Sequence, residues 1–240
     1  MNNTVHSERW DDYFKFRNVS KERYKDHRLP RYIEHNLPDD KRARIVDLGC
    51  GFGQNLSRIK ALGYVNCIGI EPSKDAAVYA AASGLEIAHE TIEQYADKNL
   101  QNADFVLMTH VLEHLPRENI IPTLRSIRDS ILASGGRFLI AVPNASSVTH
   151  CYWRYEDWTH TCLFTSGSLS YVLMSAGFDQ IKIIDPNCML ETRLFFRPFR
   201  WIALWCYKQW LKCLCRVTSS SFHKGSAMVF SFEVKALVRK

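Results

Sequence analysis

Three groups of side chains in this sequence have the types and spacing for chemistry. Asp157 and His160 lie three apart at the end of an aromatic stretch that begins at Tyr152. A neutral imidazole titrates near physiological pH and can take the proton of a reacting hydroxyl. A nearby carboxylate can orient that ring and stabilise its charged form. The other reading is a histidine that pins its loop by hydrogen bonds. His110, Glu113 and His114 are the second group. At positions i, i+3 and i+4 they would share one face of a helix, an arrangement able to hold a metal ion. Asp47 and Glu71 are the third, each closing a short apolar run.

The elements that must carry these groups follow from the pattern around them. Ile45 and Val46 read as a buried strand ending at Asp47. Gly49, Gly51 and Gly53 follow at alternate positions, and Gln54 to Leu62 reads as a helix stopped by Gly63. Glycine there permits backbone angles closed to other residues and lets a ligand approach the main chain. Asn66 to Glu71 is the next strand, and its terminal acid lies about 20 residues after the loop, where a nucleoside ribose would be held. A dinucleotide site would want Gly-x-Gly-x-x-Gly, but Gln54 stands three after Gly51. Further strands are expected at 85–89, 103–109, 136–142, 180–184 and 227–237, with helices at 73–83, 91–97, 117–133 and 166–177. Strands alternating with helices predict a parallel, doubly wound α/β sheet with ligands at the carboxyl ends of its strands.

The wording of the loop is more specific than its spacing. Asp47-Leu48-Gly49-Cys50-Gly51-Phe52-Gly53, followed by Gly69-Ile70-Glu71-Pro72-Ser73, resembles the class I S-adenosylmethionine (SAM)-dependent methyltransferases. The resemblance spans about residues 40 to 190 and the last strand. It implies a Rossmann-like, mostly parallel seven-stranded sheet with an antiparallel edge hairpin, and SAM as cofactor. It places Asp47, Gly49 and Gly51 on the methionine side and Glu71, with Pro72, at the ribose. It places Glu90 and Ile92 at the adenine, and His110 beside the methionine portion. Val111-Leu112-Glu113-His114 resembles the signature of quinone-pathway and glycan-type members. Some of the former carry Glu-x-x-Glu-His here, thought to hold a divalent cation; His110 replaces the first Glu, and no metal is expected. Asp157-x-Thr-His160, then Phe164-Thr165, then Ala176-Gly177-Phe178 resemble a subfamily common in bacterial glycan, O-antigen and secondary-metabolite pathways. His160 is then the expected general base and Asp157 its orienting partner.

Residues 1–42 are charged and aromatic, and read as helices packed on the edge of the domain or as a flap over the site. Residues 43–189 are the expected SAM-binding core, 190–225 an insertion, and 226–240 the last strand. In the insertion, Leu194 to Val217 combines three tryptophans with Arg197, Arg200, Lys208, Lys212 and Arg216. Basic residues set against Trp, Phe and Leu suit a helix lying in a membrane interface; a homodimer helix or a lid are the other readings. No stretch approaches the length of apolar residues needed to span a bilayer. The first ten residues lack the apolar core of a secretory leader, and the eight cysteines form no zinc spacing. The expected location is cytoplasmic, peripheral on the inner face of the membrane. A net charge of +6 permits an anionic partner, but no concentrated basic face lies outside the insertion, and no nucleic acid is expected. The expected activity is O-methylation of a sugar hydroxyl on a lipid-linked glycan or cell-surface polysaccharide precursor. A quinone or other phenolic acceptor, or a SAM-binding subunit without activity, are the alternatives.

Overall fold

The computed structural model describes residues 10–16 and 27–240. Expectations for residues 1–9 and 17–26 lie outside the described residues. Residues 10–16 are helical (α1). There follow α2 Arg31–Glu34, β1 Ile45–Leu48, α3 Gln54–Ala61, β2 Cys67–Ile70, α4 Lys74–Ala82, β3 Glu86–Ala88 and α5 Ile92–Ala96. The second half runs β4 Ala103–Thr109, α6 Ile120–Ser126, β5 Leu132–Pro143, α7 Tyr152–Glu156, α8 Ser166–Ser175, β6 Gln180–Ile183, α9 Arg197–Val217 and β7 Glu233–Arg239.

The seven strands form one sheet in the order β3-β2-β1-β4-β5-β7-β6. β7 runs antiparallel to both β5 and β6, and the remaining pairs are parallel. Strands buried on both faces read as near-continuous apolar runs, and the two faces feed separate clusters. Val46, Val106, Met108 and Phe138 pack with α5, α6 and α8 on one side. Ile45, Phe105, Leu107 and Leu139 pack with α2 and α3 on the other. The order reverses between β1 and β4, so the carboxyl ends of β1, β2 and β4 open a crevice at that switch point. Asp47, Glu71 and His110 all stand there.

Three expectations are corrected. The last strand starts at Glu233 rather than Ala227, because the carbonyls of Val229 and Ser231 are taken by the side-chain amide of Asn144 at 3.0 and 2.8 Å. Side-chain bonds to backbone carbonyls compete with the ladder. The helix expected over 117–133 is broken into a 3-10 turn, α6 and a π-helical end at Ile127–Ile131. Residues 110–114 do not make an α-helix: His110 has a φ of 56°, and only Leu112–His114 form a 3-10 turn. A left-handed residue ends helical continuity.

α9 is the predicted amphipathic helix, about 31 Å long. None of its residues is buried. The side turned to the body carries half-buried Arg200, Leu204, Tyr207 and Leu211, with Tyr207 edge-on to Phe230 at 5.6 Å. The opposite side, with Phe199, Ile202 and Trp210, is exposed.

Candidate active site

The glycine loop divides its labour. Gly49, Gly51 and Gly53 all have positive φ, which non-glycine residues seldom adopt. A Cβ at Gly49 would sit 2.4 Å from Val111, and one at Gly53 2.3 Å from Leu85, so these two are small for packing. A Cβ at Gly51 would meet Gln54 and Phe14 no closer than 3.7 Å. Gly51 is therefore the one of the three at which packing does not require a glycine.

Asp47 is 1 % exposed, and its Oδ2 has no hydrogen-bond partner among the described residues. Glu71 is also buried; its carboxylate accepts from Gly51 N and Ser73 N, both at 2.8 Å. Burial, with the charge of Glu71 added, pushes Asp47 up to about 8. Burial pushes Glu71 up to about 7 against the two backbone donors. Two buried acids with spare acceptor capacity fit a ligand that brings donors and positive charge. SAM brings both, as an ammonium, a sulfonium and two ribose hydroxyls, so the residues present fit it. Pro72 follows Glu71, and its carbonyl is 3.1 Å from Nε2 of His89. Glu90 Oε1 pairs with Lys98 Nζ at 2.7 Å, while its Oε2 is buried without a partner. Ile92 is buried one residue after the Thr91 cap of α5.

The elevated acids give a pH dependence. Near neutrality the ligand-free protein holds protons on Asp47 and Glu71 that bound donors would displace. Affinity for S-adenosylhomocysteine should therefore rise from pH 6 to pH 8, by at most about tenfold per pH unit for each proton released. Calorimetry across that range checks the sign; affinity that falls with pH would contradict it.

α1 closes over this end of the sheet. Asp11 accepts from the Ser73 hydroxyl and from Asp75 N, the latter at 3.3 Å. Phe14 packs on Phe52 at 4.9 Å, and Trp10 meets His114 edge-on at 5.4 Å. The N-terminal segment, as far as it is described, covers the site.

His110 stands at the mouth with its side chain 45 % exposed, Nε2 2.7 Å from Glu233 and Nδ1 3.4 Å from Glu113. Partial burial pulls it down, but the two carboxylates more than offset this and raise it to about 10. Glu233, missed in the sequence, comes from the start of β7, 123 residues away; no local signal could have found it. Glu113 is wholly buried; burial pushes it up, yet the charge of His110 holds it below the ordinary range. Burial pushes His114 down to about 4.

His160 and Asp157 come together, but not as a triad would have them. Nδ1 of His160 donates to the Trp153 carbonyl at 2.6 Å. Asp157 instead approaches Nε2 at 3.7 Å, and its other oxygen accepts from the Thr159 hydroxyl at 2.6 Å. A backbone carbonyl thus orients His160 through Nδ1, while Asp157 stands on the Nε2 side and also holds Thr159. His160 is 6 % exposed and its Nε2 faces inward, 3.9 Å from Glu113. His110 and Glu113 meet without an α-helical face between them, and Glu113, His114 and His160 have side-chain nitrogen and oxygen atoms within 4.8 Å of one another.

The comparisons with known proteins agree with this geometry. A family model described as "Methyltransferase domain" matches residues 21–183. Curated relatives include the ubiquinone biosynthesis O-methyltransferases of Salmonella arizonae and Salmonella newport, each 35 % identical over 78 residues, 30 % of this chain and 32 % of the relative. The chain thus spans about a third of the length of these relatives. Among solved structures, it resembles a SAM-dependent methyltransferase from Archaeoglobus fulgidus, with a TM-score of 0.65, 22 % identity and coverage of 96 % and 99 % of the two chains. It also resembles phosphoethanolamine N-methyltransferase 2 of Haemonchus contortus bound to SAM, with a TM-score of 0.57, 14 % identity and coverage of 87 % and 51 %. At these identities the likeness is one of fold.

Proposed function

The chain belongs to the methyltransferase-domain family, and on that premise we propose that it is a SAM-dependent methyltransferase that O-methylates a sugar hydroxyl of a lipid-linked glycan or cell-surface polysaccharide precursor at a membrane face. The observation that carries the lipid-linked part is α9. Residues 192–232 hold seven of the 31 Lys and Arg and none of the 25 Asp and Glu, which leaves 24 basic against 25 acidic residues elsewhere. The net positive charge of the chain is therefore concentrated on the segment that also exposes Phe199, Ile202 and Trp210. A basic, aromatic helix with an exposed apolar side favours an anionic lipid surface. No helix among the described residues is long and apolar enough to cross a membrane, so the reading is peripheral attachment.

SAM, when bound, supplies an electrophilic methyl group. Asp47 and Glu71 supply the acceptors that hold its donors, the glycine loop brings the main chain close to it, and α1 covers it. The loop from Asn144 to Thr165 receives the acceptor, and the exposed rings of Tyr155 and Trp158 offer flat faces to a sugar. With His160 turned inward, the loop acts by placing the hydroxyl in line with the methyl, a contribution that can reach about 7–11 kcal/mol in well-oriented reactions; the proton leaves to water. A second reading, a quinone-type phenol as acceptor, is favoured by the curated relatives' name and fits the same helix.

Incubating the protein with methyl-labelled SAM and a bacterial lipid extract tests the proposal. Label should enter the organic phase, resist alkali as an ether does, and leave on acid hydrolysis as an O-methyl sugar. Label in a phenolic ether would favour the second reading, and label confined to water-soluble products would overturn both.

A further inference from the structure

The insertion that carries α9 and the loop from Asn144 to Thr165 leave the sheet from the same end. β6 is antiparallel to β7, and β7 to β5, so β6 runs parallel to β5. The chain leaves β6 after Ile183 and enters β7 at Glu233, on the side where β5 ends at Pro143. That is the carboxyl end of the parallel strands, where Asp47, Glu71 and His110 stand. α9 is fastened just beyond it. Arg200 Nε donates to the Asn187 carbonyl at 3.1 Å, and Tyr207 lies against Phe230.

Both ends of the acceptor loop are tied to the segment that returns from α9. At the first, the backbone N–H of Asn144 donates to the Phe232 carbonyl at 2.8 Å, and its side-chain amide holds the carbonyls of Val229 and Ser231. At the second, the Ser166 hydroxyl donates to the Ala227 carbonyl. The two ends also hold each other, Ala145 N donating to the Phe164 carbonyl at 2.9 Å. Asn144 and Ser166 are buried, so the base of the loop is fixed against the insertion. The tip between them is open: Val148, Tyr152, Tyr155 and Trp158 are all exposed, Trp158 at 85 %. Apolar side chains that stand out together mark a surface that meets something. Arg154 and Glu156 balance each other in this tip, so what it adds to the basic face of α9 is apolar contact.

We propose that the tip of the acceptor loop, through Val148 and Tyr152, rests on the same anionic lipid surface as α9, so that the crevice opens onto the bilayer. The inference rests on the membrane reading of α9 and adds a second point of attachment to it. A single helix lying in an interface holds the protein at the surface but leaves it free to tilt about the helix axis. A second contact on a loop fixed to the same insertion decides which way the crevice faces. Tyr155 and Trp158 then stand at headgroup level, where aromatic rings are favoured. The hydroxyl brought to the methyl is one close to its lipid anchor rather than one at the far end of a long glycan.

Full-length protein and vesicles of phosphatidylglycerol and phosphatidylcholine in equal parts test it. Val148→Ser with Tyr152→Ser should lower partitioning by at least about tenfold. High salt should leave that ratio unchanged, since no charge is altered. Val65→Ser with Leu100→Ser removes exposed apolar side chains from the loops before β2 and β4, at the opposite end of the sheet, and should partition like wild type. Melting curves and S-adenosylhomocysteine binding report whether each variant is folded. In the unaltered protein, vesicles should slow amide hydrogen exchange over residues 148–158 as well as over α9. Vesicles that protect α9 alone, with the loop variant partitioning like wild type, overturn this inference and leave the membrane reading of α9 standing. Wild-type protein that stays in the supernatant overturns both.

Discussion

Glu71→Ala should weaken S-adenosylhomocysteine binding by about 100-fold or more. Hydrogen bonds to a charged group are worth about 1.5–3 kcal/mol each, and the carboxylate has capacity for two ribose hydroxyls beyond its bonds to Gly51 and Ser73. The substitution also frees those two backbone donors, so part of the loss is a slacker glycine loop. Glu71→Gln separates the contributions: it keeps one acceptor oxygen and restores part of the loop, and should fall between wild type and alanine. Titration calorimetry with melting curves in parallel reads both. A Glu71→Ala protein that is folded and binds within threefold of wild type would show that the acid ending β2 is not at the ribose.

Reversing charge on α9 should abolish vesicle binding while sparing the cofactor. Each Lys or Arg near an anionic bilayer contributes about 1 kcal/mol, so Lys212→Glu with Arg216→Glu should lower partitioning onto phosphatidylglycerol vesicles by at least about tenfold in low salt. A second variant, Ile202→Ser with Trp210→Ser, keeps the charge and removes apolar contact, and should lose binding that high salt does not screen. Both sites are exposed, so both variants should melt like wild type. If wild-type protein itself stays in the supernatant with anionic vesicles, the membrane reading fails, and α9 belongs in an interface between protein copies.

The parts of this molecule legible in the sequence are those set by neighbours along the chain. Asp47, the glycine loop and Glu71 fall at consecutive strand ends, so local spacing alone brings them to the crevice. The amphipathic character of α9 was legible for the same reason, but not which side packs: Lys208 is half-buried while Phe199 and Trp210 face out. His110 was misread because a left-handed histidine has no sequence signature, and helical periodicity was assumed through it. The pairing of Glu113 with His160 and of His110 with Glu233 depends on strands meeting over 47 and 123 residues, which no window of sequence reports. Asn144 hides its part equally well, since an asparagine after a strand reads as a turn residue rather than as the group that delays β7.

The most direct measurement is a crystal structure with S-adenosylhomocysteine bound. The account predicts ribose hydroxyls within hydrogen-bond distance of the Glu71 carboxylate, the homocysteine portion along Asp47 to Gly51, and residues 10–16 closed over it. Density for the ligand elsewhere on the protein, with the crevice between β1 and β4 filled by side chains, would contradict it.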